Sequence, residues 1–198
     1  MAQATTSVEQ DLIAAVNAAF TNSEDARAQA QAIADAMREA FKRGWPENSP
    51  KMGQDHGTYL MHKNEKLGHP GGGYHIYAYR NLPSPESPQS PHDHGACFVV
   101  YGVAKGGNTQ TRWAWKYSDD ATQPPTLVQT QTIEQGPGEA SYFLPGEIHS
   151  TQGSQTEETV YVRITSQNLE EVWRHRYVPQ HNTSRAFRAS GSPQRTSA

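Results

Sequence analysis

Two histidines one residue apart, His92 and His94, lie between a proline and a glycine in the stretch SPHDHGACFVVYG, residues 90–102. In an extended chain, side chains at positions i and i+2 project from the same face of the strand, about 6 to 7 Å apart along it. Both imidazoles can therefore converge on one point. Imidazole is a common ligand of transition metals, so the pair predicts part of a metal site at the start of a buried strand.

A third ligand is expected from a strand that the fold brings alongside. The stretch GEASYFLPGEIHSTQG, residues 138–153, places Pro145 and Gly146 shortly before His149. A tight Pro-Gly turn of this kind aims the residue that follows it into the next strand. Each half of the pattern has its own backbone reason for its orientation, and together they predict a metal site made of His92, His94 and His149. The remaining histidines, of nine in all, are interpreted as ordinary surface or core residues.

The two stretches together resemble the motifs of the cupins, which are double-stranded β-helix barrels. PHDHGACFVVYG is similar to the first cupin motif without its leading glycine, and GEASYFLPGEIH is similar to the second with its proline and glycine adjacent. The resemblance covers roughly residues 70–178 and implies a metal held inside a barrel. Where the cupin glutamate ligand would lie, this chain has Phe98 and Val99. The resemblance therefore implies three histidines and no carboxylate.

This ligand set resembles that of the thiol dioxygenases, the cysteine dioxygenase and 3-mercaptopropionate dioxygenase type, whose PxHDH segment is similar to SPHDHG here. The resemblance implies a mononuclear non-haem Fe(II) dioxygenase with O₂ as co-substrate, which oxidises a small thiol to a sulfinate. Fe(II) is the expected metal. Zn, Ni and Mn stay open as alternatives, because imidazole accepts many divalent metals.

The strand after the third histidine bears on the substrate. The thiol dioxygenases carry a Ser-x-His-x-Tyr relay there, whereas residues 159–165 read TVYVRIT and contain no histidine. Alternation places Tyr161 and Arg163 on one face of this strand and its aliphatic residues on the other. If the polar face lines the cavity, Tyr161 and Arg163 are the candidate catalytic residues, and the arginine anchors a substrate carboxylate; the alternative is that this face meets solvent. Arg174 and Arg176 are lesser anchor candidates on the final strand.

Four functional hypotheses fit these residues. The first is a dioxygenase that inserts O₂ into a small organic substrate, with thiols favoured by the resemblance. The second is a dioxygenase that cleaves a carbon–carbon bond in a β-diketone or hydroxyketone substrate, and the missing relay histidine favours it. The third is a non-oxidative lyase or isomerase that uses its metal as a Lewis acid. The fourth is a cupin that stores or senses a ligand without turnover.

The elements that must position these residues show two periodicities. SVEQ at residues 7–10 has the form of a capping box and opens a helix with apolar residues at every fourth position, and a second helix is predicted from Asn22 or Ser23 to Gly44. From Tyr74 onward the period changes to two, in segments separated by glycine and proline turns. The expected fold is mainly β, a cupin double-stranded β-helix barrel preceded by two N-terminal α-helices.

The domain organisation expected from length is a single domain over residues 1–198. Residues 1–45 hold the helices, residues 46–178 the barrel, and residues 179–198 a flexible tail that carries no chemistry. Cys97 is the single cysteine, which excludes an internal disulfide framework. Strand alternation predicts that its thiol packs in the core on the face opposite His92 and His94.

Charge and hydropathy limit the classes of partner that the protein can have. A formal net charge of −3 gives no broad basic field, and no uninterrupted apolar stretch is long enough to cross a membrane. The N-terminus lacks the basic start and apolar run of a secretory signal, so a cytoplasmic location is expected. We expect a small-molecule substrate, no nucleic acid and no membrane partner. The sequence is also compatible with a homodimer that forms through an exposed strand at the edge of the barrel.

Overall fold

The computed structural model describes residues 7–84, 88–120 and 122–188. Helix α1 covers Val8–Asn22 and helix α2 covers Ala26–Lys42. The predicted capping box is confirmed: the Gln10 backbone N–H donates to the Ser7 hydroxyl, and the Ser7 backbone N–H donates to the Gln10 side chain. No helix within these described ranges is long and apolar enough to cross a membrane.

The second helix begins later than predicted. Asp25 is its N-cap, and the carboxylate of Asp25 accepts a hydrogen bond of 2.7 Å from the backbone N–H of Ala28. The prediction from Asn22 or Ser23 was wrong because several residues in this stretch are good N-caps, and the sequence alone does not rank them. The end is as predicted, with Gly44 in the left-handed region at φ 80° just after the helix.

Ten strands and one short 3₁₀ helix follow in the described residues. The strands are β1 Gly57–Asn64, β2 Tyr74–Asn81, β3 Val99–Lys105, β4 Asn108–Lys116, β5 Thr126–Gln135, β6 Ala140–Phe143, β7 Ile148–Gly153, β8 Thr159–Thr165, β9 Arg174–Val178 and β10 Thr183–Phe187. The 3₁₀ helix covers Pro179–His181. Strand β1 lies before the first strand that the sequence predicted, which was at Tyr74.

The strands form two antiparallel layers. The first sheet has the order β1-β2-β8-β3-β6. In the second, β5-β4-β7 is joined to the β9-β10 hairpin through His92, which pairs with His149 of β7 on one side and with Arg176 of β9 on the other. From β3 to β8 the chain passes back and forth between the sheets, as in a double-sheet jelly roll. This topology confirms the predicted fold class, a double-stranded β-helix barrel preceded by two α-helices.

The first sheet has two distinct faces. Its outer face packs against both helices, and Val100, Val162 and Ile164 are fully buried in that core. Its inner face carries a smaller apolar cluster that includes Val99, Tyr101 of β3 and Phe143 of β6. Because side chains alternate along each strand, the polar residues of β8 point to the inside of the barrel. The hypothesis of a solvent-facing polar face on β8 is therefore wrong.

The C-terminal segment differs from the predicted flexible tail. Residues 179–187 form the 3₁₀ helix and strand β10, which pairs with β9 along its whole length. Phe187 of β10 lies on the wall of the barrel cavity, so this segment contributes to the site. Its polar composition gave no periodic signal because β10 is exposed along most of its length. Residues 189–198 of the predicted tail lie outside the described residues.

Candidate metal centre

The His-x-His segment is held in place by hydrogen bonds on both of its edges. The backbone N–H of His92 donates to His149 O at 2.8 Å, and the N–H of His149 donates back to His92 O at 2.9 Å. On the other edge, the N–H of Tyr177 donates to Pro91 O at 2.8 Å. The segment is therefore a short strand inserted between β7 and β9, although it is too short to appear as one in the sequence pattern.

Asp93, between the two histidines, points away from the cavity and fixes their orientation. Its buried carboxylate accepts hydrogen bonds from the Tyr177 hydroxyl at 2.6 Å, from His175 Nδ1 at 3.2 Å and from the Gly95 backbone N–H at 2.9 Å. Because neighbouring side chains of an extended segment point to opposite faces, anchoring Asp93 outward aims His92 and His94 inward. Asp93 was not among the predicted site residues.

Gly95 makes the turn that follows. Its φ of 59° lies in the left-handed region, and a Cβ at this position would collide with the carbonyl oxygen of Trp173. The Gly95 carbonyl accepts a hydrogen bond of 3.1 Å from the N–H of Gly146, which stands in the Pro-Gly turn before His149. The two sequence motifs are thus joined directly through their turns.

His149 is oriented by a buried glutamine. Its Nδ1 lies 2.9 Å from Oε1 of Gln110 on β4, and the Thr151 hydroxyl donates to the same oxygen at 2.9 Å. Gln110 and His149 are both fully buried. An amide oxygen only accepts, so Nδ1 of His149 carries the proton and Nε2 presents its lone pair to the cavity. Gln110 was missed because nothing in the sequence pairs β4 with β7.

The three imidazoles converge as predicted. His94 Nε2 lies 2.9 Å from His149 Nε2, and one ligand atom of each of His92, His94 and His149 lies within 4.8 Å of the others. His92 Nδ1 is 3.0 Å from Ser90 O, which leaves Nε2 of His92 for the cavity. Within the described ranges, no carboxylate belongs to this cluster.

Burial keeps these rings neutral. Removal from water lowers the pKa of His92 to about 4, and burial followed by the mutual proximity of the rings lowers the pKa values of His94 and His149 well below the ordinary value. A neutral imidazole with a free lone pair is the form that binds a metal. Buried Nδ1 of His94 has no hydrogen-bond partner in the described structure, and a metal at Nε2 would leave Nδ1 as the protonated nitrogen. The donor set fits a divalent transition metal.

A cavity of about 300 Å³ opens above the cluster. Both predicted residues of β8, Tyr161 and Arg163, lie on its wall, and so do the two lesser candidates on β9. Arg163 Cζ lies 5.6 Å from the ring centre of Tyr77 and 5.3 Å from that of Tyr79, and the Tyr79 and Tyr161 rings stack 4.5 Å apart. Aromatic and cationic groups on the wall are Tyr77, Tyr79, Tyr101, Tyr161, Phe187, Arg163, Arg174 and Arg176.

Tyr101 reaches furthest toward the histidines. Its hydroxyl lies 3.5 Å from His94 Nε2. Burial raises the pKa of Tyr101 to about 12 and also raises that of Tyr161, so both hydroxyls stay protonated at neutral pH and can donate a hydrogen bond to an anion. Sequence reasoning missed Tyr101. Its spacing of seven residues from His94 could have placed it on the inner face had the turn at Gly95 been foreseen.

Cys97 packs in the core as predicted, but on the other face. It is fully buried in the inner cluster with Val99 and Tyr101, and the Ser166 hydroxyl lies 3.3 Å from its sulfur. The alternation argument failed because the turn at Gly95 interrupts the strand between His94 and Cys97. Burial raises the pKa of the Cys97 thiol, so it is a packed, protonated group.

Comparisons with known proteins give structural likenesses only. No protein-family model and no curated protein match the chain. It is similar to an oxalate oxidase in complex with the substrate analogue glycolate, at 17% identity over 48% of this chain and 42% of that chain, with a TM-score of 0.35. The chain thus spans less than half the length of that oxidase.

Two bacterial structures cover more of the chain. One is an uncharacterized conserved protein with a double-stranded β-helix domain from Klebsiella pneumoniae, at 10% identity over 72% of this chain and 88% of that chain, with a TM-score of 0.38. The other is a cupin superfamily protein from Desulfitobacterium hafniense, at 10% identity over 59% of this chain and 82% of that chain, with a TM-score of 0.38.

Proposed function

We propose that this protein is a mononuclear non-haem Fe(II) dioxygenase that inserts O₂ into a small organic acid, with a thiol oxidised to a sulfinate as the favoured reaction. The observation that carries the proposal is the convergence of three neutral imidazoles, with no carboxylate among them, at the base of a cavity lined by arginine. His92, His94 and His149 would hold the metal. Iron(II) so bound would accept a chelating anion and O₂ together.

The neutral ligand set explains why an anionic substrate is favoured. Three neutral imidazoles would leave the full 2+ charge of a bound metal uncompensated, which favours an anionic ligand such as a thiolate. The overall reaction balances as thiolate plus O₂ giving sulfinate, with both oxygen atoms on sulfur and no external reductant.

Arg163 is proposed as the carboxylate anchor of this substrate. It lies on the cavity wall, flanked by tyrosine rings, and within the described residues no carboxylate oxygen lies within 4.0 Å of it. Its guanidinium stays charged at all working pH values and forms two parallel hydrogen bonds to a carboxylate. We expect the Tyr161 and Tyr101 hydroxyls to donate further hydrogen bonds to the same anion.

A second candidate is carbon–carbon cleavage of a β-diketone or hydroxyketone by the same metal and O₂. The observation that favours it is that β8 carries Tyr161 and Arg163 where the thiol dioxygenases have a relay histidine. A non-oxidative reaction on Zn, Ni or Mn would use the same three ligands and differ in needing no O₂.

The test is oxygen uptake by protein loaded anaerobically with Fe(II), against a panel of thiol carboxylates and β-diketones. We expect uptake with a thiol and a sulfinate product that carries two labelled oxygen atoms from ¹⁸O₂. His149→Ala is the blank, because it removes one ligand from the cluster. Uptake with a diketone alone would establish the second candidate, and no uptake with iron bound would exclude both dioxygenase reactions on these substrate classes.

A further inference from the structure

The strand β9 brings two arginines to the mouth of the metal cavity. Arg174 and Arg176 stand at positions i and i+2, so both project from the same face, and Arg176 is paired across the ladder with His92. Both lie on the cavity wall. Together with Arg163 of β8, three guanidinium groups face one small cavity.

The two arginines of β9 have no carboxylate partner among the described residues, and of the two Arg174 is buried whereas Arg176 is exposed at the cavity mouth. Arg174 is only 7% exposed, its Nε is buried without a hydrogen-bond partner, and among the described residues neither Arg174 nor Arg176 forms an ion pair. The acidic residue on the cavity wall is Glu170, which is exposed. Burying a cation beside another cation is costly unless an anion compensates it.

The aromatic ring of Phe187 holds the pair in position. The Cζ atoms of Arg174 and Arg176 lie 4.7 Å and 5.3 Å from its ring centre. A ring offers no hydrogen-bond acceptor to the edge of a guanidinium, so these contacts orient the two groups without using their N–H donors. The donors stay available for a ligand that carries acceptor oxygens.

We propose that Arg174 and Arg176 form a second anion subsite, so that the ligand of this cavity is a small dianion with one acidic group at Arg163 and another at β9. This inference rests on the proposed function in so far as it takes the three-histidine cavity to be the substrate site. One acidic group is accounted for by Arg163, and the two unpaired arginines of β9 call for another. The cavity volume of about 300 Å³ limits the ligand to a small molecule.

The experiment compares two ligands that differ by one acidic group. Binding of succinate and butyrate to the metal-loaded full-length protein is measured by calorimetry, with 3-sulfopropionate and 3-phosphonopropionate as further arms. We expect at least one of the three dianions to bind about tenfold or more tightly than butyrate, because one charged hydrogen-bonded pair contributes on that order. The best of the three identifies the acidic group that the subsite takes. Equal binding of all four ligands would overturn the proposal.

Three variants assign the effect to β9. In Arg174→Gln and in Arg176→Gln, the affinity for the dianion should exceed the affinity for butyrate by about twofold at most. Arg27→Gln, an exposed arginine of α2, is the matched control and should keep the preference for the dianion. A preference that survives in both β9 variants would refute the assignment. These ligands contain neither a thiol nor a diketone, so the outcome does not depend on oxygen uptake, and a failure of the proposed reaction is seen separately.

A melting experiment separates a binding role from a structural one. Without ligand, Arg174→Met should melt at or above the temperature of the wild type, because it removes a buried cation that has no ion-pair partner among the described residues. If Arg174 instead supports the fold, this variant melts several degrees lower. That second result would show that the arginine is structural and would overturn the proposal.

Discussion

Replacing Gln110 with leucine should weaken metal binding without touching a ligand. The Gln110 side chain is fully buried, and its Oε1 accepts from His149 Nδ1 and from the Thr151 hydroxyl, each at 2.9 Å. Leucine is similar in size and accepts no hydrogen bond. His149 then loses the contact that fixes its ring and keeps the proton on Nδ1, so the lone pair of Nε2 is no longer aimed at the cavity.

The magnitude follows from these contacts. Loss of the partner that orients a ligating histidine costs about 10- to 100-fold in metal affinity, or about 1.4 to 2.7 kcal/mol. The buried Nδ1–H left without an acceptor costs about 1 to 3 kcal/mol in the free energy of unfolding. Both figures describe the loss of the same hydrogen bond, one as a change in metal affinity and the other as a change in the free energy of unfolding. They are therefore not added together.

The assay is a competitive titration of Co(II) or Zn(II) against a chelator, followed by urea unfolding of the metal-free protein. Gln29→Leu is the matched control: Gln29 is also buried, but it lies on α2, where its side chain donates to Ser23 O at 2.6 Å. Gln29→Leu should lower stability and keep the metal affinity. A Gln110→Leu protein that binds metal within about twofold of the wild type would refute the reasoning.

Three further predictions concern the same centre. As pH falls from 6.5 to about 4, the metal-free protein should lose stability, because the unfolded chain takes up a proton that partly buried His92, with its lowered pKa, does not bind. Urea unfolding midpoints that coincide at pH 7.5 and pH 5 would contradict this. Gly95→Ala should destabilise the fold by more than about 2 kcal/mol, through positive φ and the collision with the Trp173 carbonyl. Gly146→Ala, also at positive φ but with open space around it, should cost less, and equal melting temperatures of the two variants would argue against the collision. Arg163→Met should raise KM for an acidic substrate about 100-fold with unchanged metal stoichiometry, measured by steady-state oxygen uptake, and an unchanged KM would remove Arg163 as the anchor.

The sequence predicted those features that depend on local geometry. The spacing of His92 and His94, and the turn before His149, each restrict the backbone over a few residues, and the structure brings the three rings together. The alternation along β8 likewise sorted Tyr161 and Arg163 onto one face. Alternation alone did not show which face of β8 points into the barrel, because that depends on where the helices pack.

The remaining features depend on contacts between distant parts of the chain. Gln110 meets His149 through the pairing of β4 with β7, and Phe187 reaches the cavity because β10 folds back on β9. No periodicity in either stretch reports such a partner. The prediction for Cys97 failed for the opposite reason: a local rule was carried across a turn at Gly95, where the backbone no longer alternates.

Because His92 pairs with strands on both sides, the backbone attachment of the β9-β10 hairpin to the second sheet depends on the segment that carries a metal ligand. Among the described residues, the backbone pairing of β9 with the rest of the second sheet runs through the segment at residues 91–93, supported by the contacts of Asp93 with His175 and Tyr177. The Tyr177 ring also packs edge-on against Trp115 of β4. The segment at residues 91–93 presents a ring to the metal. Local opening of the hairpin and release of the metal are therefore linked equilibria, and occupancy of the centre should slow hydrogen exchange in β9 and β10 more than in the outer strands of the first sheet.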